Sequence, residues 1–374
     1  ANAGVEVWLL DLPSDGENVN SLAAKGLERL KDPDMPGLMS EEAEKLIKIG
    51  NTRDHFQELE DCDWIAEAVV ERLDIKQSLY QRLNESCKEA TIITSNTSTI
   101  PISLLTKGMP KKFCERFAIT HFFNPVRFMR LLELVRGEFT RDDVINTLDL
   151  FSETMLGKGV VSCSDTPGFL ANRVGVFAIQ CALHKAFEYK LSPTEADAFF
   201  GRPLGLPKTG VFGLYDLIGI DLMADVVKSL VSILPENDVF HKYSSPIEIM
   251  TDMIANGQTG NKNEKGFYKQ VGDERQVIDL SSGNYGVHER LKTPLLEEAE
   301  KIGISFIIKD TSTYGLYIWD VISETLCYAA SLVPEVTDDL TQIDDAMKLG
   351  YNWVQGPFEL LDEIGIEYFV DRLK

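Results

Sequence analysis

Four apolar runs, each closing on polar residues, limit what this chain can fold into more than any other feature. VEVWLLD (5–11) is apolar on both faces and stops at Asp11, and CDWIAEAVVE (62–71) stops at Glu71. ATIITSNTS (90–98) runs into Ser95, Asn96, Thr97 and Ser98, and FAITHFF (117–123) carries His121 just ahead of Asn124. Runs that are apolar on both faces suit parallel strands buried between helices. LLELV (131–135) reads as a fifth strand. DIKQSLYQRL sets Ile75, Leu79 and Leu83 on one helical face, and Pro101 opens a short helix. Strands alternating with helices over residues 1–165 predict an α/β domain with a mainly parallel sheet.

After DTPGFLANR (165–173) the pattern changes to helices, beginning with the long apolar-striped NRVGVFAIQCALHKAFEY. The Gly, Asp and Ser clusters of KGFYKQVGDERQVIDLSSGNYGV predict a small hairpin in a connector. TGVFGLYDLIGID (209–221) matches QGPFELLDEIGIE (355–367) at an offset of 146, pairing Gly210 with Gly356, Phe212 with Phe358, Leu214 with Leu360, Asp216 with Asp362 and Gly219 with Gly365. Such a repeat predicts a duplicated helical domain. The expected division is 1–165, then a first helical domain at 166–270, a connector at 271–309 and a second copy at 310–374. A length of 374 residues suits two or three domains at about 150 residues each.

Net charge is −22, which argues against a nucleic-acid partner or an anionic membrane surface. No stretch is long and apolar enough to span a bilayer. The six cysteines form no CxxC pair and no Cys/His metal spacing, so no metal site is expected, and scattered thiols suit a reducing, cytoplasmic setting.

In a doubly wound sheet, ligands bind beyond the carboxyl ends of the strands, which is where Asp11, Glu71, Ser98, His121 and Asn124 collect. Asp11 suits a turn or helix cap, or equally the acid that accepts a dinucleotide's ribose hydroxyls and repels a 2'-phosphate, favouring NAD over NADP. A phosphate-binding glycine turn is expected about 20 residues before that acid. Counting back runs off the start of the chain, so the first strand and glycine loop are expected to be missing, with Gly4 capping the preceding helix. His121 alone suits a structural role at a strand end, and Glu133 alone suits an edge strand. Together, an acid beside an imidazole fixes its tautomer and raises its basicity, as a general base requires. Ser98 suits either a helix N-cap or a neutral hydrogen-bonder to substrate, and Asn172 either a helix-face amide or the same role.

SNTS, HFFNP, LLELV and DTPGFLANR, in that order, resemble the L-3-hydroxyacyl-CoA dehydrogenase family, and most of all the dehydrogenase part of fused bacterial fatty-acid oxidation proteins. The likeness extends over nearly the whole chain, including GNKNEKGFYK (260–269) and the doubled helical region. It implies a Rossmann-like domain followed by all-α domains, with NAD as cofactor. It implies oxidation of an L-3-hydroxyacyl-CoA thioester to the 3-ketoacyl-CoA in fatty-acid β-oxidation. His121 takes the place of the general base, Glu133 of its acid partner, and Ser98 and Asn172 of the substrate-orienting pair. Asp11, Val69, Val70, Glu71, Lys76, Ser98 and Asn124 take the NAD-contacting positions. The resemblance also implies a fused or associated enoyl-CoA hydratase and helical domains that pair within the chain. Two other readings are a dehydrogenase of the 6-phosphogluconate type, which the His121–Glu133 pair opposes, and a non-catalytic relative of the lens-crystallin kind, which the intact motif residues oppose.

Overall fold

The computed structural model describes residues 1–374, which divide into two compact units, Ala1–Asp165 and Thr166–Lys374. In the first unit the expected runs become β1 (Val7–Asp11), β3 (Trp64–Glu67), β4 (Ile92–Ser95), β5 (Phe117–Phe122) and β6 (Leu131–Arg136). Two further strands went unread in the sequence, β2 (Ile47–Asn51) and β7 (Gly159–Cys163), both short and flanked by polar residues. β1 and β2 form a parallel pair, and the other five form one sheet in the order β3-β4-β5-β6-β7. All pairings in that sheet are parallel except β5 with β6.

Alternation along β5 shows why both faces are covered. Phe117 packs against Phe113 and Tyr80, with ring centroids 5.5 and 5.0 Å apart. Its neighbour Ala118 points to the other face and joins Leu134, Val144 and Leu148 in a core cluster. The unit's helices are α1 (Ser21–Arg29), α2 (Glu41–Lys45), α3 (Leu73–Ser86), α4 (Ile102–Leu105), α5 (Lys111–Cys114) and α6 (Asp142–Thr154).

The buried face of α3 is not the one the apolar spacing predicts. Ile75 is 36% exposed, while Lys76, Tyr80 and Leu83 are buried. The cause is Glu67, fully buried at the end of β3. Its Oε1 accepts from Lys76 Nζ at 2.8 Å and from the Val69 amide at 2.7 Å. Its Oε2 accepts from the Tyr80 hydroxyl at 2.5 Å and the Ser95 hydroxyl at 2.7 Å. A carboxylate this deep requires a counter-charge and donors, so α3 turns Lys76 and Tyr80 inward.

The second unit is built mainly of helices: α7 (Ala171–Glu188), α8 (Pro193–Phe199), α9 (Phe212–Ile218), α10 (Ile220–Ile233) and α11 (Glu248–Ala255) come first. The expected hairpin is instead a three-stranded antiparallel sheet, β8 (Tyr268–Val271), β9 (Glu274–Ile278) and β10 (Tyr285–Val287). The SSGN turn returns the chain for a second pairing, because Asp279 caps it by accepting from the Ser281 and Ser282 amides. Helices follow again: α12 (Pro294–Ile302), α13 (Ile304–Ile307), α14 (Thr313–Ser331), α15 (Leu340–Tyr351), α16 (Pro357–Ile364) and α17 (Ile366–Leu373).

The repeated sequence makes the same local structure twice. Gly219 joins α9 to α10 at φ 111°, and Gly365 joins α16 to α17 at φ 90°, a backbone region that glycine enters without steric cost. Asp197 accepts from the Phe212 amide at 2.7 Å, and Asp344 accepts from the Phe358 amide at 2.8 Å. The long helices α7 and α14 pack together, with Phe177 stacked on Tyr328 at 4.2 Å and the Tyr317 hydroxyl donating to the Ala182 carbonyl at 3.1 Å.

Lys76→Met tests the buried carboxylate in the first unit. Removing one partner leaves Glu67 uncompensated, so urea unfolding should show a loss of about 3–5 kcal/mol. A loss below about 1 kcal/mol would mean that the neutral donors alone satisfy Glu67.

Candidate active site

β5 and β6 are both buried along most of their length, and their antiparallel register sets His121 directly opposite Glu133. Directly opposed side chains stand close enough to interact, so the 12-residue separation in sequence becomes a hydrogen bond. His121 Nδ1 lies 2.6 Å from Glu133 Oε2. Glu133 is fully buried and His121 is 5% exposed. With Glu133 ionised, Nδ1 carries the proton and donates it, which leaves the lone pair on Nε2. Nε2 faces the Ser98 hydroxyl at 3.1 Å, and on this tautomer the hydroxyl donates. The Phe123 ring lies beside the imidazole, with centroids 4.8 Å apart.

Ser98 sits in the loop after β4, and Glu71 holds that loop. Glu71 Oε1 accepts from the Thr97 hydroxyl, from the Thr99 hydroxyl at 3.0 Å and from the Ser98 amide at 3.3 Å. Thr97 Oγ1 in turn accepts from the Ile100 amide at 3.0 Å. Burial pushes the Glu71 carboxyl up, but the Thr97 hydroxyl, the Lys76 ammonium and the Thr99 hydroxyl outweigh it and hold it below the usual glutamate value. The Asn96 side chain accepts from the Phe122 amide at 2.9 Å, tying the loop to the end of β5. Local patterning does not report the roles of Thr97 and Thr99. An acid inside the apolar run WIAEAVV was the available signal for Glu67.

The positions expected to contact NAD differ in access. Asp11 is exposed at the carboxyl end of β1, and its Oδ1 accepts from the Leu12 amide at 2.7 Å. β3 stops at Glu67, so Val69, Val70 and Glu71 belong to the following turn, with Val70 59% exposed. Asn124 is exposed beyond β5. These positions fit a dinucleotide lying across strand ends. Lys76, also among the expected contacts, faces inward. It is 1% exposed, and its ammonium lies 2.8 Å from Glu67 and 3.3 Å from Glu71, so it acts on the fold and on Glu71. Asn172, in the second unit, is the second residue of α7, and its Oδ1 accepts from the Tyr351 hydroxyl at 3.3 Å.

The row Ser98–His121–Glu133 places a hydroxyl, an imidazole and a carboxylate in series. By geometry alone it serves either proton removal from a substrate hydroxyl or activation of the serine itself. Comparison with known proteins gives the family of the chain. Residues 1–166 match the family described as 3-hydroxyacyl-CoA dehydrogenase, NAD binding domain, and residues 168–270 match 3-hydroxyacyl-CoA dehydrogenase, C-terminal domain. A Rickettsia prowazekii protein named as a fatty acid oxidation complex trifunctional enzyme is 38% identical over 96% of the chain and 50% of its own length. The chain thus spans about half the length of the first curated relatives it matches. A Deinococcus radiodurans protein named as a 3-hydroxyacyl-CoA dehydrogenase is 37% identical over 74% of the chain and 79% of its own length. The fold is shared with a 3-hydroxybutyryl-CoA dehydrogenase from Escherichia coli, at a TM-score of 0.72 and 23% identity, covering 98% of this chain and 88% of that one. On both family matches and the Deinococcus relative, the chain belongs to the 3-hydroxyacyl-CoA dehydrogenase family.

Proposed function

We propose that this chain carries the dehydrogenase activity that oxidises an L-3-hydroxyacyl-CoA thioester to the 3-ketoacyl-CoA in fatty-acid β-oxidation. The observation that carries the reading is the 2.6 Å hydrogen bond between His121 and the buried Glu133, which aims the Nε2 lone pair at Ser98. In the reaction, Nε2 accepts the proton of the substrate's 3-hydroxyl as the C–O bond gains carbonyl character. Glu133 stabilises the imidazolium and keeps the ring oriented. Ser98 and Asn172 hold the substrate oxygens by neutral hydrogen bonds. NAD, when bound, supplies the acceptor for the hydride that leaves the same carbon. Asp11 would take the ribose hydroxyls, with Val69, Val70 and Asn124 lining the strand ends and Glu71 carrying the loop of Ser98.

Residues 166–270 and 310–374 are read as two copies of one helical domain around a connector at 271–309. The support is the shared glycine and aspartate geometry of the two repeats and the packing of α7 on α14. A fused or associated enoyl-CoA hydratase is supported by the relative named trifunctional, of which this chain covers 50%. No helix is long and apolar enough to cross a membrane, and a reducing cytoplasmic setting is supported by six free cysteines.

In the full-length polypeptide, His121→Gln should lower kcat with acetoacetyl-CoA and NADH by about 10²–10⁴-fold while NADH affinity stays near wild type, since base loss acts on the chemical step. Near-normal turnover would remove His121 from the mechanism. Glu133→Gln should be similarly severe and should alter the pH–rate profile. An unchanged profile would break the assigned pairing.

Asp11 should make NADH preferred over NADPH, because a carboxylate repels the extra phosphate. Steady-state kinetics with each cofactor checks this, and equal kcat/KM values would defeat the assignment.

Glu71 gives the pH dependence. Its carboxyl is held below the ordinary value, so its hold on the Ser98 loop persists above that value and is lost as pH falls through the lowered folded value. In a titration from pH 7 downward, the amide resonance of Ser98 should stay in place past about pH 4.3, where an unperturbed glutamate is half-protonated, and shift below it. A midpoint above that value would contradict the arrangement.

A further inference from the structure

The role proposed for Asn172 needs its amide to face one way. A side-chain amide accepts at Oδ1 and donates at Nδ2, and rotation about its last bond exchanges the two ends. A hydroxyl donating into Oδ1 selects one orientation and leaves the NH2 group committed to the opposite side. In the second unit that donor is Tyr351, 179 residues later in the chain, with its hydroxyl 3.3 Å from Asn172 Oδ1.

A second observation shows that the contact is built into the packing. Gly175 lies one turn beyond Asn172 on the same face of α7. A Cβ added to Gly175 would stand 2.1 Å from Tyr351 Cζ and 2.4 Å from Cε2, so the tyrosine ring fills the space that a side chain at 175 would need. The glycine is thus a slot for this ring. The backbone on both sides of the contact is also fixed. Tyr351 is the last residue of α15, Asn352 follows at φ 54°, and the Val354 amide donates to the Gly205 carbonyl at 2.8 Å. Next to Asn172, the buried guanidinium of Arg173 is paired with Asp238 and with Glu335, the latter at 2.7 Å.

We propose that Tyr351 is a positioning residue for the dehydrogenase reaction, orienting the Asn172 amide toward the acyl-CoA substrate through the slot at Gly175. It rests on the reading of Asn172 as a substrate-orienting group. The second helical segment then contributes to the substrate side of the chemistry as well as packing against the first. Orienting groups act well only when their own geometry is fixed by a supporting layer, and small misplacements of a reacting group are costly.

Tyr351→Phe removes the hydroxyl and keeps the ring in the slot. In the full-length polypeptide it should lower kcat/KM for acetoacetyl-CoA about fivefold, the scale of one hydrogen bond. Acetoacetyl-CoA affinity measured by calorimetry should weaken by a similar factor, while the KM for NADH and the Tm stay near wild type. Gly175→Ala, which displaces the ring, should show the same split between substrate and cofactor parameters. In an Asn172→Ala background, Tyr351→Phe should add nothing, because the group it orients is gone. If Asn172→Ala is impaired while Tyr351→Phe keeps wild-type kcat/KM and affinity, the positioning role is wrong and the site reading stands. If Asn172→Ala keeps wild-type kinetics, the reading of Asn172 falls and this proposal falls with it. Equal losses from Tyr351→Phe with and without Asn172 would also overturn it, since the tyrosine would then act elsewhere.

Discussion

The first unit is organised around a carboxylate that has no access to water. Glu67 ends β3 and receives donors from α3, from β4 and from the turn that follows it. Each donor comes from an element that must be placed correctly for the others to reach. An unpaired charge at that depth would cost several kcal/mol, so the arrangement excludes alternatives in which α3 rotates or β4 slides. The consequence reaches the site through Lys76. Its ammonium is shared between Glu67 and Glu71, and Glu71 gathers the hydroxyls and amide of residues 97–99. Ser98 faces His121 at the end of this chain of bonds, and Glu133 completes it from the neighbouring strand.

Much of this arrangement was legible in the sequence where the signal is local. Apolar runs ending in polar residues located five of the seven strands of the first unit, and a histidine and a glutamate in consecutive strands suggested a pair. Strand direction was not legible. The segment between Phe122 and Leu131 joins β5 and β6 as antiparallel neighbours, and that reversal brings His121 opposite Glu133. Helical periodicity misplaced the buried face of α3, because it counts apolar residues and has no means of weighing a buried counter-ion. The ammonium of Lys76, on that buried face, lies 2.8 Å from Glu67. The hydrogen bond from Tyr351 to Asn172 spans 179 residues, and no local pattern carries such information.

The two helical segments show how a repeated sequence divides its roles. Positions that satisfy the backbone keep their jobs in both: Gly219 and Gly365 both turn one helix into the next at positive φ. One side-chain role has diverged although the residue is unchanged. Asp216 is buried and accepts from the Phe267 and Tyr268 amides, and burial raises its carboxyl to about 6 against those two hydrogen bonds. Asp362, its match in the repeat, is exposed at the surface. The difference follows from what surrounds each position. The segment at 266–268 crosses the first repeat closely enough that a Cβ on Gly266 would stand 1.9 Å from Asp216 Oδ1. Tyr351, beyond the stretch that matches in the two repeats, meets Asn172 and the slot at Gly175 on α7. Identity of sequence between the repeats therefore reports where the chain must turn.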